Sequence, residues 1–590
     1  MKNLKYILFS LLAFAMTACN NDAFFELQRP PQFPWNSVSE LEFAAVAPYN
    51  KFFYTGWSAP QSNHILNQVI QSDYFRFVGN VEGYATDQVY KRKYSDRVAD
   101  VEGLYTSMYG VIGLCNNGLE FYRTTNNDPF PYASDADSVN NVNRIKGELL
   151  FMRAYAYYHL AVTFCPPYGH GANNDTKILV KRDHISYSSE DALNNAPATT
   201  GAIYDMMVAD LKEAKSLLPT DWVDGMHLSY KNRGRANKWA ASAVLAQVYF
   251  TMGKFTGTES ALTELDDVIG NGGYSLTTDP FECFNNSSTA LLSSETSSKE
   301  VIFWNFCADI KMFPTIHNSF RFTHFNKAFR DAKLGGNGNT SAGTSPKWSF
   351  TGWWQMCMAK NALVEMGWMN SDGSETNTAL WDKRYNNPTS TAGYVNEKGL
   401  FYRFEGCYKD TIEFNAAKLA TKQLGRRTAA SDDGKYIISA KYAPLIGKTE
   451  PVVLVNKYYR TADGKMQNTP VIRLAELYLN RAMIKKRANI AGWAADYNKV
   501  AARAWNTTLA GTAYVNKTDA EVSERMILVE RWKELAGEDV WYIPFCEALG
   551  YEIGQGDRTS ADNTASIKPP YSSDYWKNCI PLSELDFQPK

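Results

Sequence analysis

The chain is short of the residues from which most catalytic and redox sites are built: of 590 residues, only 7 are histidine and 9 are cysteine. No HExxH occurs, which excludes the helix-borne zinc site of metalloproteases, and no GxSxG marks a nucleophile elbow. His317 and His324 share a segment without a third ligand nearby. Gly447-Lys448-Thr449 has the tail of a P-loop, but Tyr442 stands where its first glycine belongs. With Cys19 set aside, the closest cysteines, Cys283 and Cys307, are 24 residues apart, so there is no CxxC knuckle. Neither a metal nor a cofactor is expected, and the cysteines read as buried thiols. Charge of one sign is missing too. With 61 Lys+Arg against 62 Asp+Glu, the net charge is −1, which argues against a broad nucleic-acid surface. Beyond the N-terminus no stretch reaches the roughly 18–20 apolar residues of a spanning helix.

Aromatic residues are abundant: 15 Trp, 35 Tyr and 31 Phe make up 14% of the chain. The apolar share of 45% is that of a folded globular protein. An aromatic-rich, charge-balanced body suits carbohydrate or peptide better than phosphates.

The first residues read as an address. Lys2 and Lys5 precede an apolar core from Tyr6 to Met16, then Thr17, Ala18 and Cys19. A positive start, a short apolar core and small residues describe a signal peptide over 1–18. Met16-Thr17-Ala18-Cys19 resembles a lipobox, which makes Cys19 the lipidation site. Asn20-Asn21-Asp22, Pro30-Pro31 and Pro34 give an extended tether over 19–40, since proline blocks helix. Two or three acyl chains hold a protein on a membrane where one is marginal.

A single body is expected over 41–590, its helical scaffold mainly in 95–272 and 470–545. Ile145, Leu149, Met152, Ala156 and Leu160 recur at helical steps, and Pro166-Pro167 stops that helix. Val101 to Tyr122 reads as its partner. Ala241, Val244, Leu245, Val248 and Met252 mark a second helix ended by Gly253, with Thr258 to Ile269 as its mate. Val471, Leu474, Ala475, Tyr478 and Ala482 mark another, and Thr518 with Glu521 reads as a capping box opening a helix toward Trp541. Ala243 to Tyr249, Gly253-Lys254-Phe255 and Ala261-Leu262 resemble a degenerate tetratricopeptide unit. The expected fold is mainly α: a tetratricopeptide-like scaffold of helical hairpins carrying a loop-rich insertion with short β-hairpins. That insertion, mainly 275–460, holds Gly/Ser/Thr/Asn tracts between β-type runs at Val301 to Phe306 and Val452 to Tyr459. The second run leads into the turn signal Ala462-Asp463-Gly464.

Long structured loops on rigid frames are where binding residues tend to sit. One aromatic cluster is Asp73-Tyr74-Phe75-Arg76 with Tyr84 and Tyr90; another runs through Phe313, Phe320, Phe322, Trp348, Trp353 and Trp354. Aromatic faces suit the apolar faces of sugar rings, with Asp, Asn and Arg beside them for hydroxyls. The candidate ligand site is therefore Tyr74, Tyr84, Phe313, Phe320, Trp348 and Trp353, with Asp73, Arg76 and Asn318 as polar partners. Adjacent carboxylates such as Asp266-Asp267 do not by themselves make a glycosidase pair.

Five blocks carry a family resemblance. They are Lys146 to Tyr155 running on to Pro167, Arg235-Ala236-Asn237 to Phe255, and Ala362 to Gly373 with Trp381-Asp382-Lys383-Arg384. Ile472-Arg473 with Glu476, and Glu530-Arg531-Trp532-Lys533-Glu534 through Glu538, complete the set. Together with the lipobox they resemble the SusD/RagB family. Where that family usually continues after Glu538 with Gly and Arg-Trp, this chain has Asp539-Val540-Trp541. The resemblance implies an outer-membrane lipoprotein, facing the cell surface, that captures oligosaccharide and passes it to a SusC-like TonB-dependent β-barrel transporter without covalent chemistry. A peptide-binding member of the family and a surface endo-glycosidase on a helical scaffold are the alternatives.

Overall fold

The computed structural model describes residues 35–54, 69, 71–77, 89, 99–132, 136–169, 174–193, 196–221, 234–284, 299–305, 356–385, 400–404, 407–408, 436–437, 452–455, 457, 469–551 and 580–581. Ten longer helices among them form the frame. They are α1 (Val38–Tyr54), α2 (Ala99–Thr124), α3 (Ala136–Phe164), α4 (Thr200–Leu217), α5 (Lys238–Thr251), α6 (Ala261–Asn271), α7 (Leu474–Arg487), α8 (Trp493–Ala504), α9 (Glu524–Leu535) and α10 (Tyr542–Leu549).

Local chemistry sets many of their ends. The side chains of Thr199, Asn237, Ser260 and Ser523 each accept a hydrogen bond from a first-turn N–H, satisfying a donor that the helix itself leaves open. Gly253, at φ +71°, turns the chain out of α5, where a side chain would be strained.

Each helix packs mainly on its neighbour in sequence from α1 through α6, and α7 packs on both α8 and α9. Although about 200 residues of sequence separate them, α6 packs directly on α7, so the two runs of helices form one continuous stack. A single apolar core runs through all ten helices, with a smaller cluster of Leu41, Ala44, Ala45, Tyr122, Ile145 and Leu149 between α1, α2 and α3. Cys115, Cys165, Cys283, Cys357 and Cys546 are buried.

Two local expectations change. Glu521 does accept from the N–H and hydroxyl of Thr518, each at 2.7 Å, but this pair closes a turn. The helix begins at Glu524, behind Ser523, whose hydroxyl accepts from the Met526 N–H at 3.2 Å. The described residues of the runs around 452 and 470 do not pair with each other. The strand Val452–Val455 pairs antiparallel with Phe401–Phe404, and Thr469–Arg473 pairs with Val301–Asn305. Val471, an apolar position in the sequence reading of α7, belongs to that last strand. Both pairings are long-range; the first lies within the insertion, and the second ties the insertion to the strand that runs into α7.

Candidate functional site

Of the candidate ligand residues, Asp73, Tyr74 and Arg76 lie among the described residues; Tyr84, Phe313, Asn318, Phe320, Trp348 and Trp353 lie outside them, as does Cys19. The strand β1 (Phe75–Phe77) pairs antiparallel with β5 (Met356–Met358), the others being β2 (Lys177–Val180), β3 (Pro197–Thr199) and β4 (Val301–Asn305). The register is Phe75 opposite Met358, Arg76 opposite Cys357 and Phe77 opposite Met356, extended by the Ala359 N–H donating to the Tyr74 carbonyl at 2.9 Å. Phe77, seven residues before Tyr84, and Met356, three residues after Trp353, thus lie at the same end of the ribbon.

Tyr74 itself is a core residue. It has no exposed surface, and its ring packs 5.1 Å from Phe75, 5.3 Å from Tyr542 and 6.2 Å from Trp532. A ring whose faces are covered by protein cannot stack on a sugar, so Tyr74 leaves the candidate set. Arg76 is 5% exposed. Asp73 is half-buried and accepts from the Tyr542 hydroxyl at 3.2 Å. Of the three, only Asp73 keeps appreciable access to solvent.

Missing from the sequence reading is a set of buried ion networks built from the charged residues of the recognisable blocks. The first joins α1, α3 and the approach to α5. Arg235 donates to Glu42 at 2.9 Å and Glu148 at 2.5 Å, and Arg144 bonds the same two carboxylates. The Arg235 guanidinium also lies 5.1 Å from the Tyr49 ring centre. Nearby, Arg153 grips Asp210 through two bonds of 2.8 Å and Asn116 at 2.9 Å, linking α3 to α4 and α2.

A second network knots the C-terminal helices to the insertion. Arg473 donates to Glu300 and Glu538, each at 2.9 Å, and to Glu534 at 2.5 Å. Arg503 bonds Glu300 and Glu534, while Lys457 reaches Glu538 at 2.5 Å and the Glu534 carbonyl at 2.7 Å. Arg384 binds Asp382, Glu530 and Glu534. Burial pushes the Glu534 carboxyl up, but Arg503, Arg473 and Arg384 outweigh it and hold the group well below the usual carboxylate range. Burial lowers Lys457 to about 8. A third cluster seats Arg531 on Asp539 at 2.6 Å, Asn480 at 2.6 Å and Glu476 at 3.0 Å, where burial raises the Glu476 carboxyl to about 7. Asp539, the residue at which this chain departs from the usual pattern, is thus a partner of Arg531.

These groups face one another inside the frame, so they fix helices and do not present acid–base chemistry to a substrate. The available signal was their placement as charges within apolar helical stripes. Among the described residues no cluster of His, Cys, Asp or Glu is placed to hold a metal ion. No described helix is long and apolar enough to cross a membrane.

Residues 52–250 match the family model described as starch-binding and associating with outer membrane, and residues 325–542 match that of the SusD family. SusD-like protein P2 from Formosa agariphila is 29% identical over 172 residues, a match covering 29% of this chain and 27% of the relative. Solved structures extend the likeness of fold to nearly the whole chain. A SusD superfamily protein from Bacteroides thetaiotaomicron is 18% identical, with a TM-score of 0.62 over 94% of this chain and 99% of its own. A SusD-like carbohydrate binding protein from Bacteroides vulgatus is 15% identical, with a TM-score of 0.60 over 94% and 99%.

Proposed function

The chain belongs to the SusD/RagB family, and from that premise we propose that it is a lipid-anchored outer-membrane protein that binds oligosaccharide at the cell surface and delivers it to a TonB-dependent β-barrel transporter. The observation that carries this reading is the double family match, one half of it to a starch-binding description that includes the outer membrane. The geometry supports it in two ways. Charged side chains of the recognisable blocks are consumed by the frame, and the β1–β5 pairing sets Phe77 opposite Met356, the described ends of the two stretches of sequence that bear the candidate aromatics. Binding without covalent chemistry then falls to the loop face, with Tyr84, Phe313, Phe320, Trp348 and Trp353 as platforms and Asp73 and Asn318 as polar partners. Stacking is worth roughly 1–3 kcal/mol per base on aromatic platforms, and a sugar, lacking a π-face, gains no more than that per ring.

Calorimetry on single alanine variants of the five aromatics tests the location. The expected result is weakened glycan binding with unchanged melting; wild-type affinity in all five would rule the location out. The anchor has its own test, since Cys19→Ala is expected to abolish lipid labelling and release the protein from the membrane fraction. Continued labelling of that variant would overturn the lipobox reading.

A further inference from the structure

A cleft of about 380 Å³ lies where the turn after residue 378 meets α8, α9 and the loop between them, and it shares no lining residue with the β1–β5 ribbon. Its walls are aromatic and fixed. The Trp505 indole N–H donates to the Thr512 carbonyl at 2.8 Å, and its ring packs 5.5 Å from Trp381 and 6.0 Å from Tyr514. Asn498 holds the loop by accepting from the Lys517 N–H at 3.0 Å and donating to the Lys517 carbonyl at 2.7 Å. Backbone bonds of 2.7 Å, Lys383 to Ala504 and Asn506 to Trp381, clamp the turn onto the end of α8. The cleft is therefore organised before any ligand arrives.

Its charges do not balance internally. Arg384 takes up both carboxylates of the lining, binding Asp382 at 2.8 Å and Glu530 at 2.8 Å. With the ammonium groups of Lys533 and Lys517 the lining holds three cations against two carboxylates, an excess of one positive charge. Lys533 lines the cleft yet makes no hydrogen bond or ion pair with any described residue. Burial lowers its pKa, and Arg384 adds to this, while Glu530 and Asp382 act on it through space in the opposite direction without bonding it. An ammonium in that position gains most from an anionic acceptor, because charge-assisted hydrogen bonds are stronger than neutral ones. The neighbouring rings of Trp505, Tyr514 and the largely buried Tyr497 supply flat apolar surface. The volume is within the range of small-ligand pockets.

We propose that this cleft is a second saccharide site, selective for a sugar ring carrying a carboxylate or sulfate group, which Lys533 binds while Trp505 and Tyr514 cover the ring. The proposal rests on the glycan-binding reading above, but it concerns different residues and a different ligand charge. A frame-borne site for acidic units would let one protein hold an anionic oligosaccharide at two points, and two weak points held together bind far more tightly than either alone.

The test is calorimetry on the full mature chain with trigalacturonate, a sulfated galactose trisaccharide and neutral galactotriose. Lys533→Met keeps the side-chain length and leaves the Arg384 pairs intact, so its melting temperature is expected to match the wild type. Tyr514→Leu is a second variant, in a loop. The expected result is that at least one anionic sugar binds the wild type and that each variant weakens it about tenfold or more, since a hydrogen bond to a charged group is at stake. Comparison of the two anionic sugars separates carboxylate from sulfate. Equal affinity for the neutral trisaccharide, or full anionic affinity in Lys533→Met, overturns the proposal. If Lys533→Met binds normally while loop-face variants lose affinity, the second site falls and the glycan-binding reading stands. Failure of every sugar, neutral or anionic, overturns both.

Discussion

Glu476 shows how a single buried residue sets a property of the whole fold. Burial raises its carboxyl to about 7, although Arg531 pulls the other way. A carboxyl raised on folding binds its proton more tightly folded than unfolded. Its stabilising contribution is therefore complete below the unfolded value and is lost as pH rises through about 7. At one pKa unit per 1.36 kcal/mol the loss approaches roughly 3 kcal/mol. Glu476→Gln should remove this slope, so urea denaturation between pH 5 and 8 should show wild type losing stability relative to the variant; parallel profiles would contradict it. Glu534 works in the opposite direction, since its depressed carboxyl stabilises above the unfolded value and its contribution is lost toward acid. Little of this was legible in the sequence. Glu476 and Arg531 stand out as charges amid apolar runs, but their partnership across 55 residues exists only once α7 packs on α9. Tyr74 is the converse case. Its polar neighbours suggest an exposed loop, but the ring is buried against Tyr542 and Trp532, which lie more than 450 residues away in sequence.

At the scale of elements, the long helices were legible because their apolar residues recur at the helical period and their ends carry recognisable chemistry. Asn237 before α5 and Gly253 after it are local signals that the structure uses as such. Where a signal was local but ambiguous, the reading slipped. Thr518 and Glu521 have the spacing of a capping box but make only one of its two bonds, Thr518 N–H to Glu521, and Ser523 caps the helix instead. Strand pairing was least legible. Turn residues at 462–464 suggest a local hairpin, but Val452–Val455 finds its partner about 50 residues upstream and Thr469–Arg473 finds its own more than 160 residues away. A strand's side chains alternate between faces whichever strand lies beside it, so its own sequence does not name the partner.

The whole molecule divides its labour. Helices stacked in sequence order, and rejoined across the insertion where α6 meets α7, form a frame whose interior charges neutralise one another. Breaking one such pair leaves an uncompensated buried charge, costing about 3–5 kcal/mol, so these networks constrain how the frame can vary. On the proposed function, ligand chemistry falls to surfaces that the frame carries, the loop face with its aromatic candidates and the cleft at Lys533. The family pattern was legible because it is written in the frame, in residues such as Arg235, Arg473 and Glu534. The ligand was not, because the residues that meet it answer to no such packing rule. The decisive measurement is a calorimetric titration of an oligosaccharide panel into the purified mature protein, with the sugars recovered afterwards and their lengths determined. The expected result is saturable binding of at least one glycan, recovered intact. Shortened products would make the protein a glycosidase, and binding of peptides with no glycan bound would place it among peptide-capturing proteins; either would contradict the reading of a surface protein that captures glycans and hands them on unchanged.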